Sequence, residues 1–191
     1  MLIEKNVRKQ EDFLWHHDVK TCPEDGSRLY TPNFDSSRLW QETDEYYFGS
    51  REYNLDGRHV ILWFIIFIDA TVVVTRGTQQ CKPVWITLAN FPERIRNSNA
   101  AWTMIAVIPK LFTTVGLKET LAFKEAKRYV YHTCIEQLFE SMVEVHLHKG
   151  FYFHILGRVR RCVPAIALFM QDNEEGNGLA GHAANVNSAQ P

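Results

Sequence analysis

The stretch VILWFIIFID, residues 60–69, decides how the rest of the chain is interpreted. It runs without a polar residue from Val60 to Ile68 and is rich in β-branched and aromatic side chains, which is typical of a β-strand. Because this strand is apolar on both faces, we expect it at the centre of a sheet with cover on each side. The run stops at Asp69, far short of the roughly 20 apolar residues of a membrane-spanning helix, so no membrane partner is expected.

Further strands and a long helix follow this central run. VWITLAN at 84–90 and WTMIAVI at 102–108 are short β-rich runs, and the segments between the three runs carry no helical pattern. The three strands are therefore predicted to pair as an antiparallel meander. Apolar residues then recur every three or four positions over 118–146, which predicts an amphipathic helix. Gly150 ends this helix and FYFHIL at 151–156 predicts a fourth strand, so the helix is expected to cross over to the same sheet.

The two ends of the chain differ in composition from this central region. Residues 1–59 are rich in turn-forming residues, and we expect a loosely structured extension whose aromatic side chains dock onto the core. After Gly157, RVRRCVPAIALFMQD predicts a second helix, with Pro164 in its first turn. Residues 173–191 hold few large apolar side chains, which predicts a flexible tail. The predicted domains are thus an extension over 1–59, a core over 60–172 and a tail over 173–191.

Charge and cysteine content exclude several classes of protein. The 191 residues include 21 Lys plus Arg and 22 Asp plus Glu, so the chain lacks the broad positive field of a self-sufficient nucleic-acid-binding protein. Its four cysteines form no CxxC pair and its N-terminus has no secretory pattern, so an intracellular location is expected. The sequence has no Gly-rich phosphate loop, and no small-molecule cofactor is predicted.

The predicted order of elements is three strands, a long helix, a fourth strand and a second helix. Ribonuclease-H-like α/β folds begin with this order, although propensity alone leaves other α/β folds open. In ribonuclease-H-like enzymes, acidic side chains on neighbouring strands hold two magnesium ions about 3.5 to 4 Å apart. Asp69, at the end of the first strand, stands where one such ligand is expected.

Five collinear segments between Gly57 and Gly181 carry a family likeness. They are FIDATVVV at 67–74, KPVWITLANFPERIR at 82–96, AVIPKL at 106–111, AKRYVYHTCIEQLFESM at 126–142 and GRVRRCVPAIALFMQD at 157–172. In these segments the chain resembles fungal Plavaka transposases, which are related to CACTA-type cut-and-paste transposons. The resemblance implies a ribonuclease-H-like fold with an incomplete core, and intact relatives that cut and join transposon DNA with Mg²⁺. It also implies DNA as the partner and residence in the nucleus.

The resemblance also implies which residues belong to the catalytic site. Asp69 matches the aspartate of the family's Asp-Lys-Thr element, and so would be a catalytic, metal-binding carboxylate, although Ala70 replaces the lysine. The second acid of the family precedes the glycine of an Asp-Gly-x-x-Arg-Arg element, where this chain has Leu156 before Gly157. Because leucine offers magnesium no oxygen ligand, this copy is expected to be catalytically impaired. A further aspartate of the family corresponds to Asp172, and no counterpart of its late acidic residue is expected.

Basic residues beside the fourth strand are candidates for DNA binding. They are Lys149, Arg158, Arg160 and Arg161. Guanidinium groups suit phosphate contacts, whereas the alternative reading is a solvated helix start, at which three arginines would oppose the helix dipole. For the whole chain, the alternative to an impaired transposase is a non-enzymatic DNA- or protein-binding module on the retained fold.

Overall fold

The structure, a computed structural model, describes residues 2–49, 58–69, 71–72, 80–109, 111–117, 120–148 and 150–171. Its helices are α1 (Leu2–Asn6), α2 (Arg38–Phe48), α3 (Glu93–Arg96) and α4 (Leu121–Leu147). Its strands are β1 (Lys20–Thr21), β2 (Arg28–Leu29), β3 (His59–Ile68), β4 (Thr71–Val72), β5 (Gln80–Leu88), β6 (Thr103–Ile108), β7 (Phe151–Ile155) and β8 (Arg158–Gln171). The predicted α/β class is confirmed, whereas the ribonuclease-H-like assignment stays a prediction.

Six of the strands form one sheet. Their order is β4–β5–β3–β8–β7, and β6 also pairs with β5. β3, β5, β6, β7 and α4 occur where the sequence predicts three strands, a fourth strand and a long helix. β3 has neighbours on both sides, as its apolar character predicts. A separate antiparallel pair joins β1 to β2.

The segment after Gly157 is a strand, so the prediction of a second helix there is wrong. β8 pairs antiparallel with β7, from Phe151 opposite Cys162 to Ile155 opposite Arg158. Leu156 and Gly157 form the two-residue connection, with φ of 50° and 72°. Positive φ at both central positions is the signature of a type I′ hairpin turn, which matches the twist of paired strands. This turn lets β8 fold back and pair with β7, although the alanines in the sequence of β8 do not favour a strand.

The chain divides into two compact units, each of which has its own packing. The first unit comprises Met1–Ile65, Ile86–Thr103 and Ser141–Leu168. Alternate side chains of β3 enter two clusters in this unit. The first core cluster contains Ile3, Val7, Phe13, Trp15, Val60, Leu62, Leu88, Phe91, Ala101, Ile155 and Cys162. The second core cluster contains Trp40, Phe48, Ile61, Trp63, Ala89 and Val163, with Leu14, Phe34, Tyr47, Ile65, Ala165 and Ala167 packed against it.

The N-terminal part of the chain has more regular structure than the sequence analysis expects. Residues 2–49 include α1 and α2 and contribute buried side chains to both core clusters. Asn90, which is fully buried, ties this segment to β3. Its side-chain amide donates to the carbonyls of Leu14 at 3.1 Å and Ile61 at 2.9 Å, and its side-chain oxygen accepts from Trp63 N–H at 2.8 Å. The segment therefore forms part of the cover of the sheet.

The second unit comprises Ile66–Trp85, Met104–Glu140 and Phe169–Pro191. Tyr131 of α4 is buried in this unit. Its hydroxyl donates a hydrogen bond to the side-chain oxygen of Gln171 at 3.3 Å, and its ring centre lies 5.5 Å from the ammonium nitrogen of Lys82. Other apolar residues of α4, such as Leu121 and Tyr129, are more than 70% exposed. The predicted helix is confirmed, but its first turns are lightly covered. Within the described residues, the structure contains no helix that is long and apolar enough to cross a membrane.

Candidate functional site

Asp69 directly follows β3 and lies in the second unit. Ile66 and Ile68, which precede it, are fully buried, and this fixes the end of the strand. The Asp69 side chain is itself exposed. Across the residues that the structure describes, no group of three or more His, Cys, Asp or Glu side chains could hold a metal ion. The described residues therefore supply one carboxylate at this position and do not by themselves fit a magnesium site.

The sequence analysis places the second metal-binding position at Leu156, and the strand order does not support this assignment. The prediction requires the strand that ends at Leu156 to lie beside β3. That strand is β7, and β8 separates it from β3. Leu156 itself occupies the first central position of the hairpin turn. Asp-Gly is a preferred pair in such a turn, so an aspartate before this glycine has a conformational explanation that involves no metal.

The strand beside β3 is β8, and in the sequence an aspartate directly follows the end of β8. The N–H of Arg161, the fourth residue of β8, donates at 2.8 Å to the carbonyl of Arg58, which directly precedes β3. β8 ends at Gln171. Asp172 comes next in the sequence and lies outside the described residues.

The four candidate DNA-binding residues do not share one environment. Arg158 is exposed and Arg161 is half-buried, whereas Arg160 is 2% exposed and its guanidinium lies 3.9 Å from the ring centre of Trp15. Since side chains alternate along a strand, Arg158 and Arg160 lie on one face of β8 and Arg161 on the other. Lys149 lies outside the described residues. A phosphate contact by Arg160 would require its cation–π contact with Trp15 to break, and the DNA-binding roles of all four residues stay predictions.

These arginines lie in the first residues of β8 and not at a helix start, so no helix dipole opposes them. The observed partner of Arg160 is Trp15 in the N-terminal segment. Nothing in the local sequence of either residue indicates this contact. A buried arginine over an aromatic face is a stable arrangement, and here it joins the N-terminal segment to β8.

Tyr152 is an exposed aromatic residue that the sequence analysis did not single out. It is 76% exposed on β7 and lies directly opposite Arg161 of β8. A sequence signal for this region does exist: no Asp or Glu occurs from Val145 to Gln171. The acid-free segment holds Lys149 together with the three arginines.

Two other groups have altered acidity for reasons visible in the structure. Burial raises the pKa of Asp44, and the hydrogen bonds that it accepts from the His17 ring at 2.9 Å and the His17 N–H at 3.1 Å oppose this shift. Burial also raises the pKa of the Cys162 thiol to about 12. Cys162 is therefore protonated at neutral pH and unsuited to nucleophilic chemistry.

Comparison with known proteins identifies the family. The family model for Plavaka transposase matches residues 4–189, which includes the N-terminal segment as well as the sheet. No curated protein and no solved structure matches the chain. The match covers most of the sequence and agrees with the five collinear segments described above. The chain therefore belongs to the Plavaka transposase family.

Proposed function

We propose that this transposase-derived chain acts in the metal-dependent cleavage and transfer of DNA strands, with Asp69 and Asp172 as its pair of acids. The observation that carries the proposal is the strand order, in which β8 and not β7 lies beside β3. Family membership supports DNA as the substrate.

We infer that β3 and β8 run in the same direction. The hydrogen bond from Arg161 in β8 to Arg58 joins β8, three residues after it begins, to the residue directly before β3. Alternate residues that follow this hydrogen bond in each strand belong to the second core cluster, namely Ile61, Trp63 and Ile65 of β3 and Val163, Ala165 and Ala167 of β8, as expected if both strands run in the same direction from it. Both strands advance by about 3.3 Å per residue, so a parallel pair brings their C-terminal ends to the same edge of the sheet.

The chemistry of the two acids fits this arrangement. Asp69 follows the end of β3 and Asp172 follows the end of β8 in the sequence. Carboxylates from neighbouring strand ends are the oxygen donors that magnesium prefers. The expectation of an impaired copy rested on the leucine at position 156 and on the lack of a counterpart of the late acidic residue, and the strand order removes the first of these two grounds. We therefore propose that the chain retains strand-cleaving activity.

A nicking assay on supercoiled plasmid with Mn²⁺ or Mg²⁺ tests this function. We expect the wild-type chain to convert the plasmid to the open circular form, and we expect Asp69→Asn and Asp172→Asn each to abolish the conversion. Glu125→Gln is the matched control, because it neutralises an exposed acid on α4 and should leave nicking unchanged. A wild-type chain that binds DNA without nicking it would contradict the proposed activity and favour the non-enzymatic binding module.

A further inference from the structure

We propose that one face of the β7–β8 hairpin binds an unpaired DNA strand, with Tyr152 stacking on a base and Arg161 contacting a phosphate. This face, which we call the Tyr152 face, consists of Tyr152, His154, Val159 and Arg161. The inference rests on DNA as the substrate in the proposed function, and it adds a binding surface apart from the acids. Every residue of this face belongs to the first compact unit.

The pairing of β7 with β8 places these four side chains on one face. Tyr152 lies opposite Arg161, and His154 lies opposite Val159. Directly opposed residues of an antiparallel pair have Cβ atoms about 4.5–5.5 Å apart, so the tyrosine ring and the arginine side chain are neighbours. The other face of the hairpin is packed, since Ile155 and Cys162 are buried in the first core cluster and Phe153 packs against it.

The Tyr152 face presents apolar and aromatic surface to solvent. Tyr152 is 76% exposed and Val159 is 53% exposed, and His154 is also exposed. Val163, two residues after Arg161 on the same face of β8, is buried in the second core cluster, whereas Tyr152 belongs to neither core cluster. An exposed ring on a rigid strand can stack with a nucleobase without reordering of the backbone.

The charge of the surrounding chain favours a polyanion as the partner. From Val145 to Gln171 the sequence has no acidic residue but contains Lys149, Arg158, Arg160 and Arg161, of which Arg161 lies on the Tyr152 face, Arg158 lies on the opposite face and Arg160 is buried against Trp15. The chain as a whole has a net charge of −1, so this segment is a local positive region. Positive charge alone would suit duplex phosphates equally well. The exposed tyrosine beside Arg161 favours a single strand, whose bases are free to stack.

Fluorescence anisotropy with a labelled oligothymidine and a labelled duplex of the same length tests the inference. EDTA is included, so that metal-dependent chemistry does not contribute. We expect the wild-type chain to bind the single strand more tightly than the duplex. Tyr152→Ala should weaken single-strand binding by about 5- to 150-fold, the range for loss of one stacking contact. Tyr152→Phe keeps the aromatic ring and should bind the single strand with wild-type affinity. Tyr152→Leu lacks the ring and should lose as much single-strand affinity as Tyr152→Ala.

Matched controls separate stacking from other effects. Tyr46→Ala removes a tyrosine that is 81% exposed on α2, and it should leave binding unchanged. Arg161→Gln should reduce the slope of log affinity against log salt by about 0.7, the value for one phosphate contact on a single strand. Unchanged binding in both Tyr152→Ala and Tyr152→Leu, tighter binding of the duplex, or no binding of the single strand would overturn the proposal.

The outcome is independent of the proposed cleavage. Asp69→Asn should bind the single strand like the wild type in EDTA. Suppose that the wild-type chain fails to nick DNA while single-strand binding is kept in Tyr152→Phe and lost in Tyr152→Ala. In that case the proposed activity is wrong and the proposed binding surface is supported. If nicking follows Asp69 while Tyr152→Ala binds normally, the binding surface is wrong and the activity stands.

Discussion

Leu156 has a φ of 50°, in the left-handed region where a non-glycine residue costs about 1–2 kcal/mol. Asn and Asp tolerate this region best among residues with a side chain. Leu156→Asn should therefore raise the free energy of unfolding by about 0.5–1 kcal/mol, as measured by urea denaturation. Leu147→Asn is the control, because Leu147 is also exposed but lies in α4, where its backbone is helical. A loss of stability in Leu156→Asn would contradict the turn assignment.

Asp12 links the N-terminal segment to α3 through Arg94, and we expect this contact to respond to acid. The hydrogen bond from Arg94, at 2.8 Å, holds the pKa of Asp12 below its ordinary value of 3.8 against the effect of burial. A lowered pKa in the folded state means that this stabilisation is complete above about pH 4 and is lost as the pH falls further.

Urea denaturation at a series of pH values tests this response. Asp12→Asn should be less stable than the wild type at pH 7, and it should lose less additional stability between about pH 4 and pH 2.5. Arg94→Gln should flatten the acid response in the same way. Equal acid sensitivity in the wild type and both variants would show that the ion pair does not control it.

At the scale of elements, His146 connects the end of α4 to two other elements of the first unit. Its Nδ1 is 2.7 Å from the carbonyl of Pro164 in β8, and its Nε2 is 2.7 Å from the hydroxyl of Tyr47 in α2. A neutral ring satisfies both contacts if Nδ1–H donates and Nε2 accepts from the hydroxyl. Burial raises the pKa of Tyr47, which keeps its hydroxyl protonated as the donor.

Loss of this connection should be costly. His146→Ala leaves a carbonyl and a hydroxyl without their partners, and should lower the free energy of unfolding by about 2–4 kcal/mol in urea denaturation. His148→Ala provides the matched control two residues away, where the side chain is exposed, and should change stability by less than about 0.5 kcal/mol. Similar effects of the two substitutions would mean that the contacts of His146 contribute little.

The strands and the long helix were predictable because their signals are local. The apolar run at β3 and the three- and four-residue spacing in α4 lie within the elements themselves. β8 was not predictable in the same way. Its Ala-containing sequence is compatible with a helix, and its strand conformation depends on the turn at Leu156 and on pairing with β3 and β7.

The candidate site depended on the same element. Asp69 could be named as a candidate from its place after the apolar run of β3 and from the family likeness, and its role stays a prediction. Its predicted neighbour could not, because the position of an acid beside it depends on which strand pairs with β3, and that pairing is non-local. The family likeness places the second acid at Leu156, and the predicted helix over 158–172 left β7 free to lie beside β3.

At the scale of the whole molecule, the N-terminal segment contributes more than its sequence indicates. It supplies the buried aromatic residues Phe13, Trp15, Trp40 and Phe48. Each contributes roughly 1.5–3 kcal/mol on burial. Their sum is comparable to the total stability of about 5–15 kcal/mol for a domain. These residues belong to core clusters that include distant parts of the chain, which the turn-rich composition of residues 1–59 does not indicate.

Truncation tests the boundary that the sequence analysis places after residue 59. A chain that begins at residue 58 should give no cooperative thermal transition, because both core clusters lose part of their cover. A chain that ends at Asp172 is the control, and should keep the transition of the full chain. A cooperative transition in the chain that begins at residue 58 would show that the boundary prediction is right and that the N-terminal segment is dispensable.

The central claim is that position 172, and not position 156, supplies the acid that works with Asp69. Mn²⁺ binding followed by electron paramagnetic resonance tests it most directly. Asp69→Asn and Asp172→Asn should each lower the Mn²⁺ affinity by at least about tenfold, which is the loss expected even for a residue that only supports a metal ligand. The double variant should have an Mn²⁺ affinity only slightly lower than that of either single variant. Leu156→Asp should bind Mn²⁺ no better than the wild type. Wild-type affinity in Asp172→Asn, together with tighter binding in Leu156→Asp, would contradict the account.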